Sequence, residues 1–213
     1  MQIETSGPRG SDTRERLLDV AIEVLGKTPD AGMGDVASAA GVVRRTVYGY
    51  FPSRSDLLVA LARRAVGEIA AVLAEEAPAD KPADVAWADF IAHLWPLTHR
   101  YRVLVVLRRG EFGEDIHALL GEVEQALALL VGRGQDSGVF GRYLPAGVLS
   151  QAAWSAVFTI ADDDLSRTEL DVSAVIVTSL LMLGVTESRA TDLAEQTLSP
   201  VRTRPAEPQH PPG

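Results

Sequence analysis

The sequence predicts an all-α protein of nine to ten helices, with a small helix-turn-helix head followed by a larger helical body. Two observations carry this. Apolar residues recur every three or four positions along most of the chain, and the alternating runs that strands require are scarce. Proline, glycine and short polar stretches punctuate these periodic segments at helix-length intervals. With 213 residues, 46% apolar and 23% charged, the chain has enough material for a sizeable core and the composition of a folded protein.

The elements follow in order. Leu17, Leu18, Ala21, Val24 and Leu25 share one face of a first helix, about Ser11 to Leu25, with Ser11 or Asp12 as its cap and Gly26 at its end. After the loop KTPDAG, a short second helix covers about Gly34 to Ala40 and turns Val36, Ala37 and Ala40 inward. Gly41 permits a sharp turn and Val42 plugs the gap between the two helices. A third helix spans Arg44 to Tyr50 and stops at Pro52. Ser53 caps a fourth that runs to about Glu76. The stretch APADKPAD, residues 77–84, reads as a linker. A fifth helix carries Trp87, Ile91 and Leu94 and is ended or kinked at Pro96; a sixth covers about Thr98 to Leu107. The seventh is the most periodic, with Ile116, Leu119, Leu120, Val123, Leu127 and Leu130. The eighth has Pro145 in its first turn, where proline is tolerated, and reaches about Ala161. The acidic run Asp162–Asp164 reads as a loop, and Ser166 with Glu169 as a capping box for the ninth helix. The tenth covers about Glu187 to Leu198 and ends at Pro200.

The expected organisation is a flexible N-terminus (1–10), a head (11–58) whose last helix continues to about 76, a body (84–199) and a disordered tail (200–213). The tail holds five of the twelve prolines.

Composition narrows the function. Cysteine is absent, which removes disulfides, thiolate nucleophiles and thiolate-bound metals. The longest apolar stretch, Val172 to Val185, falls short of the roughly 20 residues a membrane span needs, and the polar N-terminus lacks a signal core. A cytoplasmic protein is expected, with no membrane partner. The net charge of −9 is unevenly spread: residues 1–65 hold nine Lys/Arg and eight Asp/Glu, so the remainder nets −10. An acidic body is repelled by phosphates, which favours approach to nucleic acid by the head.

The stretch AGVVRRTVYGYFPSR (residues 40–54) concentrates the chemistry. In a helix-turn-helix the second helix enters the major groove and its first residues meet base edges. Here those residues are Arg44, Arg45 and Thr46. Arginine's planar fork suits guanine and phosphate, and Tyr48 lies one turn further on. Adjacent arginines on a short helix are also an ordinary solvated face, and Tyr50 and Phe51 are also core residues fastening that helix. The residues alone leave both readings open.

The segment DVASAAGVVRRTVYGYFPSRSDLL resembles the DNA-binding signature of the tetracycline-repressor-like (TetR) regulators. The matching features are Val36-Ala37, AAGV, Thr46-Val47-Tyr48, the Tyr-x-Tyr-Phe block and PSRSDLL. With the first helix included, the similarity covers about Arg14 to Leu61. The resemblance implies a DNA-binding transcriptional regulator, by family habit a repressor, that leaves a palindromic operator when a small molecule binds. The expected DNA-facing set is Gly34, Arg44, Arg45, Thr46, Tyr48, Tyr50 and Arg54, the last where the family commonly has a phosphate-binding lysine. Val43 stands where a serine cap is usual, and Gly32, Met33 and Gly34 where Thr or Ser often faces the backbone.

For the body the resemblance implies dimerisation and ligand sensing. Helices eight and nine are apolar round much of their circumference, as buried helices are. Leu149, Ala153, Ala156, Val157, Ile176, Leu180 and Leu183 are the candidate homodimer contacts; an ordinary core pair is the alternative. Trp87, Phe90, Ile91, Trp95, His99, Tyr101, Phe112, His117, Trp154 and Phe158 are the candidate ligand contacts, or simply core. His93, His99 and His117 lack one-turn metal spacing, so no metal is expected, and no cofactor. No phosphate-binding glycine loop, HExxH or nucleophile–base set marks an enzyme. The competing readings are a dimeric DNA binder controlled by a protein partner, and a helical enzyme.

Overall fold

A computed structural model describes residues 8–107, 113–167 and 171–199; the side chains of 8–10, 106–117 and 162–167 are outside the description. The elements are α1 (Pro8–Lys27), α2 (Met33–Ala39), α3 (Arg44–Tyr50), α4 (Arg54–Glu76), α5 (Ala83–Arg100), α6 (Arg102–Leu107), α7 (Gly113–Ser137), α8 (Ala146–Arg167), α9 (Val172–Met182) and α10 (Glu187–Leu198). There is no strand among the described residues. The chain is all-α, as its periodicity implies.

Three helix ends share one device. At the ends of α2, α7 and α9 a glycine takes positive φ: Gly41 at 67°, Gly138 at 81° and Gly184 at 87°. A valine follows each glycine and donates its N–H five residues back, as Val42 to Ala37, Val139 to Gly134 and Val185 to Leu180. This is the Schellman ending, in which glycine relieves the left-handed residue and the next apolar side chain packs back on the helix. All three valines pack on the core, Val185 fully buried.

In the head, α1 packs on α2 and α4, and α2 packs on α3. The side chains responsible are Leu17, Leu18, Ala21 and Leu25 of α1, Val36 and Ala37 of α2, and Val47 of α3. Ser53 caps α4 by accepting the N–H of Asp56 at 3.1 Å, a bond worth about 1 kcal/mol of helix stability. Helix α4 then runs unbroken into the body, where it packs on α5 and α7. Trp87 and Trp154, both buried, lie at the body's centre. The Trp87 indole donates to Ser179 of α9 at 3.0 Å, so the buried N–H is satisfied. Phe90 stacks on Trp154, which meets Phe158 edge-on. One contiguous core joins head and body.

The structure departs from expectation in three places. Helix α1 begins at Pro8, so Ser11 and Asp12 lie inside it rather than at its cap, and residues 8–10 belong to it rather than to a flexible N-terminus. Helix α5 continues through Pro96 to Arg100. Buried Trp95 and Thr98 hold its last turn, and α6 starts only after Tyr101. The Asp162–Asp164 run is not a loop: α8 includes it and ends at Arg167. Ser166 is therefore inside α8 rather than at the cap of α9, and Glu169 lies outside the described residues. Asp171 caps α9 instead, accepting the N–H of Ser173 at 3.1 Å. Local polarity suggested a break that helix propensity did not require, since aspartate costs well under 1 kcal/mol per position in a helix.

Gly41 offers a direct check. Nothing lies within 4 Å of where a Cβ would stand, so Gly41→Ala introduces backbone strain alone. It should destabilise the protein by about 1–2 kcal/mol in urea unfolding.

Candidate nucleic-acid interface

Helix α3 is fixed by its inward side and free on its outward side. Val47 is wholly buried and Phe51 nearly so, where α3 ends. Burial of one such side chain stabilises by about 1.5–3 kcal/mol. The Phe51 ring also lies 5.3 Å from the guanidinium carbon of Arg14 on α1. With Val47 inward, the helical repeat turns Arg44, Arg45 and Tyr48 to solvent, Tyr48 being 48% exposed. Thr46 and Tyr50 are half-buried at the edges, and Tyr50 packs partly against the core. The N-cap Val43 offers no side-chain hydrogen bond, so the first amides of α3 have no side-chain cap from that position. Val43 itself is 67% exposed.

The electrostatics match this layout. From residue 36 to 55 the chain holds Arg44, Arg45 and Arg54 and no acidic residue. The head is near neutral in sum, yet this stretch is cationic. Arg44 lies back over α2, where a Cβ on Gly34 would come within 2.5 Å of its Nη2. Gly34 is therefore the floor on which the Arg44 guanidinium rests. Arg54 is turned inward: its Nε donates to the Ala31 carbonyl at 3.2 Å, and its Nη2 donates to the Pro29 carbonyl. It braces the α1–α2 loop. Asp35 accepts the Gly32 N–H at 2.8 Å, closing the start of α2.

An apolar cavity of about 40 Å³ lies where α4, α5, α6, α7 and α8 converge. Ala65, Ile69, Leu94, Leu104 and Leu120 are among its walls, with Tyr101 and Phe158. Its two hydroxyl-bearing walls face other partners. Thr98 donates to the Trp95 carbonyl at 2.7 Å, and Tyr101 donates to Glu68 of α4 at 2.7 Å. Burial and the bond to Glu68 raise the Tyr101 phenol well above its ordinary pKa, so it remains a donor.

Of the candidate ligand contacts, Tyr101 and Phe158 reach this cavity. Trp87, Phe90, Ile91 and Trp154 fill the core instead. Trp95 and His99 pair edge-on at 5.1 Å away from the cavity walls. Phe112 lies outside the described residues, as does the side chain of His117. Among the described residues no cluster of His, Asp or Glu is placed to hold a metal.

The dimer candidates lie mostly on the inward side of α8 and α9. Leu149, Ala153, Val157, Ile176, Leu180 and Leu183 are buried in the chain's own core and cannot meet a second subunit. Only Ala156 is half-exposed. The outward face of the same two helices carries Val148, Ala152, Ser155, Ala156 and Thr159 on α8, and Ala174, Val177, Thr178 and Leu181 on α9. Val148 is 53% and Leu181 43% exposed. Among the residues whose side chains are described, this face bears no charge.

The charge network between head and body was not foreseen from sequence. Arg64 of α4 donates to Asp19 of α1 at 2.7 Å and to Glu68 at 3.3 Å. Burial lowers the Arg64 pKa, but the bond to Asp19 and the surrounding negative charge outweigh it and raise the value. Arg100 of α5 pairs with Glu68 at 3.1 Å and with Asp19 at 3.5 Å. Arg64 and Glu68 stand at the i, i+4 spacing that sequence inspection can read, but the pairs that tie α4 and α5 to α1 and to each other are 32 to 81 positions apart.

Comparison with known proteins finds relatives with a helix-turn-helix of this kind. Residues 17–61 match the model of the bacterial regulatory proteins of the tetR family. A 74-residue stretch, 35% of this chain, is 46% identical to the HTH-type transcriptional repressor LfrR of Mycolicibacterium smegmatis, and spans 39% of that relative's length. The HTH-type transcriptional regulator EthR of Mycobacterium tuberculosis is 28% identical over 160 residues, 70% of this chain and 73% of its own. The crystal structure of LfrR in complex with proflavine superposes with a TM-score of 0.62 at 28% identity, covering 84% of this chain and 97% of that one. No helix among the described residues is long and apolar enough to cross a membrane.

Proposed function

We propose that this chain, whose residues 17–61 match the tetR family of bacterial regulatory proteins, is a homodimeric transcriptional repressor that leaves its operator when a small apolar molecule enters the body. The observation that carries this is α3, a seven-residue helix anchored by Val47 with Arg44, Arg45 and Tyr48 outward. Residues 11–58 form the reading head in this account, and 84–199 the sensing and dimerising body. The protein works in the cytoplasm on duplex DNA, without catalytic residues or a cofactor.

The roles follow from chemistry. Arg44 and Arg45 read base edges or clamp phosphates through paired hydrogen bonds. Thr46 and Tyr48 reach the backbone with hydroxyls, Tyr50 supports them from the helix edge, and the amide of Gly34 meets phosphate. Arg54 acts indirectly, holding the α1–α2 loop. A two-fold dimer sets two such helices about 34–36 Å apart, one turn of the duplex. The outward face of α8 and α9, uncharged among the described residues, is the dimer surface. The cavity beside α4 receives the effector, and its walls among the described residues favour hydrocarbon or aromatic surface. The relative LfrR, which binds the aromatic proflavine, supports an aromatic or similarly apolar effector.

Two measurements test this. Against a duplex recovered by selection from random sequence, Arg44→Ala and Arg45→Ala should each weaken binding by about 1–3 kcal/mol if they make bidentate base contacts; unchanged affinity in both refutes the assignment. Val148→Asp combined with Leu181→Asp should yield a folded monomer by sedimentation. Retention of the dimer moves the interface elsewhere.

A further inference from the structure

The cavity and the head are joined by a chain of polar contacts that begins on a cavity wall. The Tyr101 ring lines the cavity, and its hydroxyl donates to Glu68 Oε1 at 2.7 Å. Arg64 and Arg100 donate to the same carboxylate, at 3.3 Å and 3.1 Å. Both arginines also reach Asp19 of α1, at 2.7 Å and 3.5 Å. The Arg100 guanidinium lies 5.4 Å from the Tyr101 ring centre. On α1, Glu15 lies 3.5 Å from Arg64 and accepts from Arg14 at 3.2 Å, and Arg14 covers Phe51, the cap residue just past α3. An unbroken path of contacts thus runs from a ring facing the cavity to the helix with the outward arginines.

We propose that Tyr101 is the positioning residue through which occupancy of the cavity is transmitted to the head. This rests on the DNA-binding reading above. A molecule filling the cavity displaces the Tyr101 ring, and the hydroxyl can follow only by leaving Glu68. The carboxylate then loses a donor, and the two arginines redistribute between Glu68 and the carboxylates of α1. The network is poised for this. Arg64 Nη1 is shut off from solvent, makes no hydrogen bond, and sits 3.5 Å from Glu15. An incompletely satisfied guanidinium gives the present arrangement no large advantage over a rearranged one. Apolar packing of α4 against α1 and the body is the competing route, and it does not involve the phenol oxygen.

Removal of that oxygen separates the two. Tyr101→Phe keeps the ring in the cavity wall and deletes the donor. Operator affinity of the intact protein is measured for Tyr101→Phe, Asp19→Asn and the double variant, with the urea midpoint recorded in parallel. Each single change should weaken operator binding about tenfold, the scale of one hydrogen bond to a charged group, and the double variant should bind no worse than the weaker single. Val66→Leu, which adds bulk to the cavity wall, should weaken binding with Tyr101 present and have no further effect in the Tyr101→Phe background. A merely structural role would shift the urea midpoint and leave affinity unchanged, and it overturns the proposal. So does additivity in the double variant, or an equal effect of Val66→Leu in both backgrounds. Failure of the unaltered protein to bind any selected duplex overturns the DNA-binding reading itself, and the proposal with it.

Discussion

One unbroken helix is part of two packing units. The N-terminal turns of α4 bury Leu57, Leu58 and Leu61 where the head's core lies, and its later turns bury Ala65, Ile69 and Leu73 toward the body. A helix is stiff along its axis, because each added residue contributes one more backbone hydrogen bond. Any shift of α4 within the body therefore shifts the head. Ser53 fixes where this helix starts, and Arg54, its first residue, grips the carbonyls of Pro29 and Ala31. The start of α4 and the α1–α2 loop are thereby tied together, next to the end of α3 in the chain. The placement of α3, the cavity beside α4 and the charge network around Glu68 all follow from this shared element.

The head was far more legible than the body. Helix α3 has the bounds the sequence predicts, Arg44 to Tyr50, because Gly41 before it and Pro52 after it are unambiguous stops. The same holds for α10, Glu187 to Leu198. The inward position of Val47 follows from the helical repeat once these bounds are set. Arg54 was legible through the resemblance as a phosphate-facing position but not as a brace, since its carbonyl partners lie 23 and 25 positions away.

The phase of α8 and α9 was not legible, for a physical reason. Periodicity locates the buried side of a helix by contrast with a polar side, and α9 consists of Val, Ser, Ala, Ile, Thr, Leu and Met. No contrast exists. What selects the inward side is a long-range pair, Ser179 with Trp87, together with the steric fit of Ile176, Leu180 and Leu183. The candidate dimer residues, Ala156 apart, therefore fall on the side that the chain buries in its own core. Similarly, large aromatics signalled a ligand site, yet Trp87, Phe90 and Trp154 complete the core. Aromatic side chains carry the largest apolar areas, and a core of this size uses them first.

The most direct test of the central claim, that two copies of α3 read successive turns of one duplex, is a hydroxyl-radical footprint on a selected operator. Two protected patches related by two-fold symmetry, with centres one helical turn or a whole number of turns apart, are the predicted result. A single asymmetric patch, or uniform cleavage under conditions where the protein is folded and in excess, contradicts it.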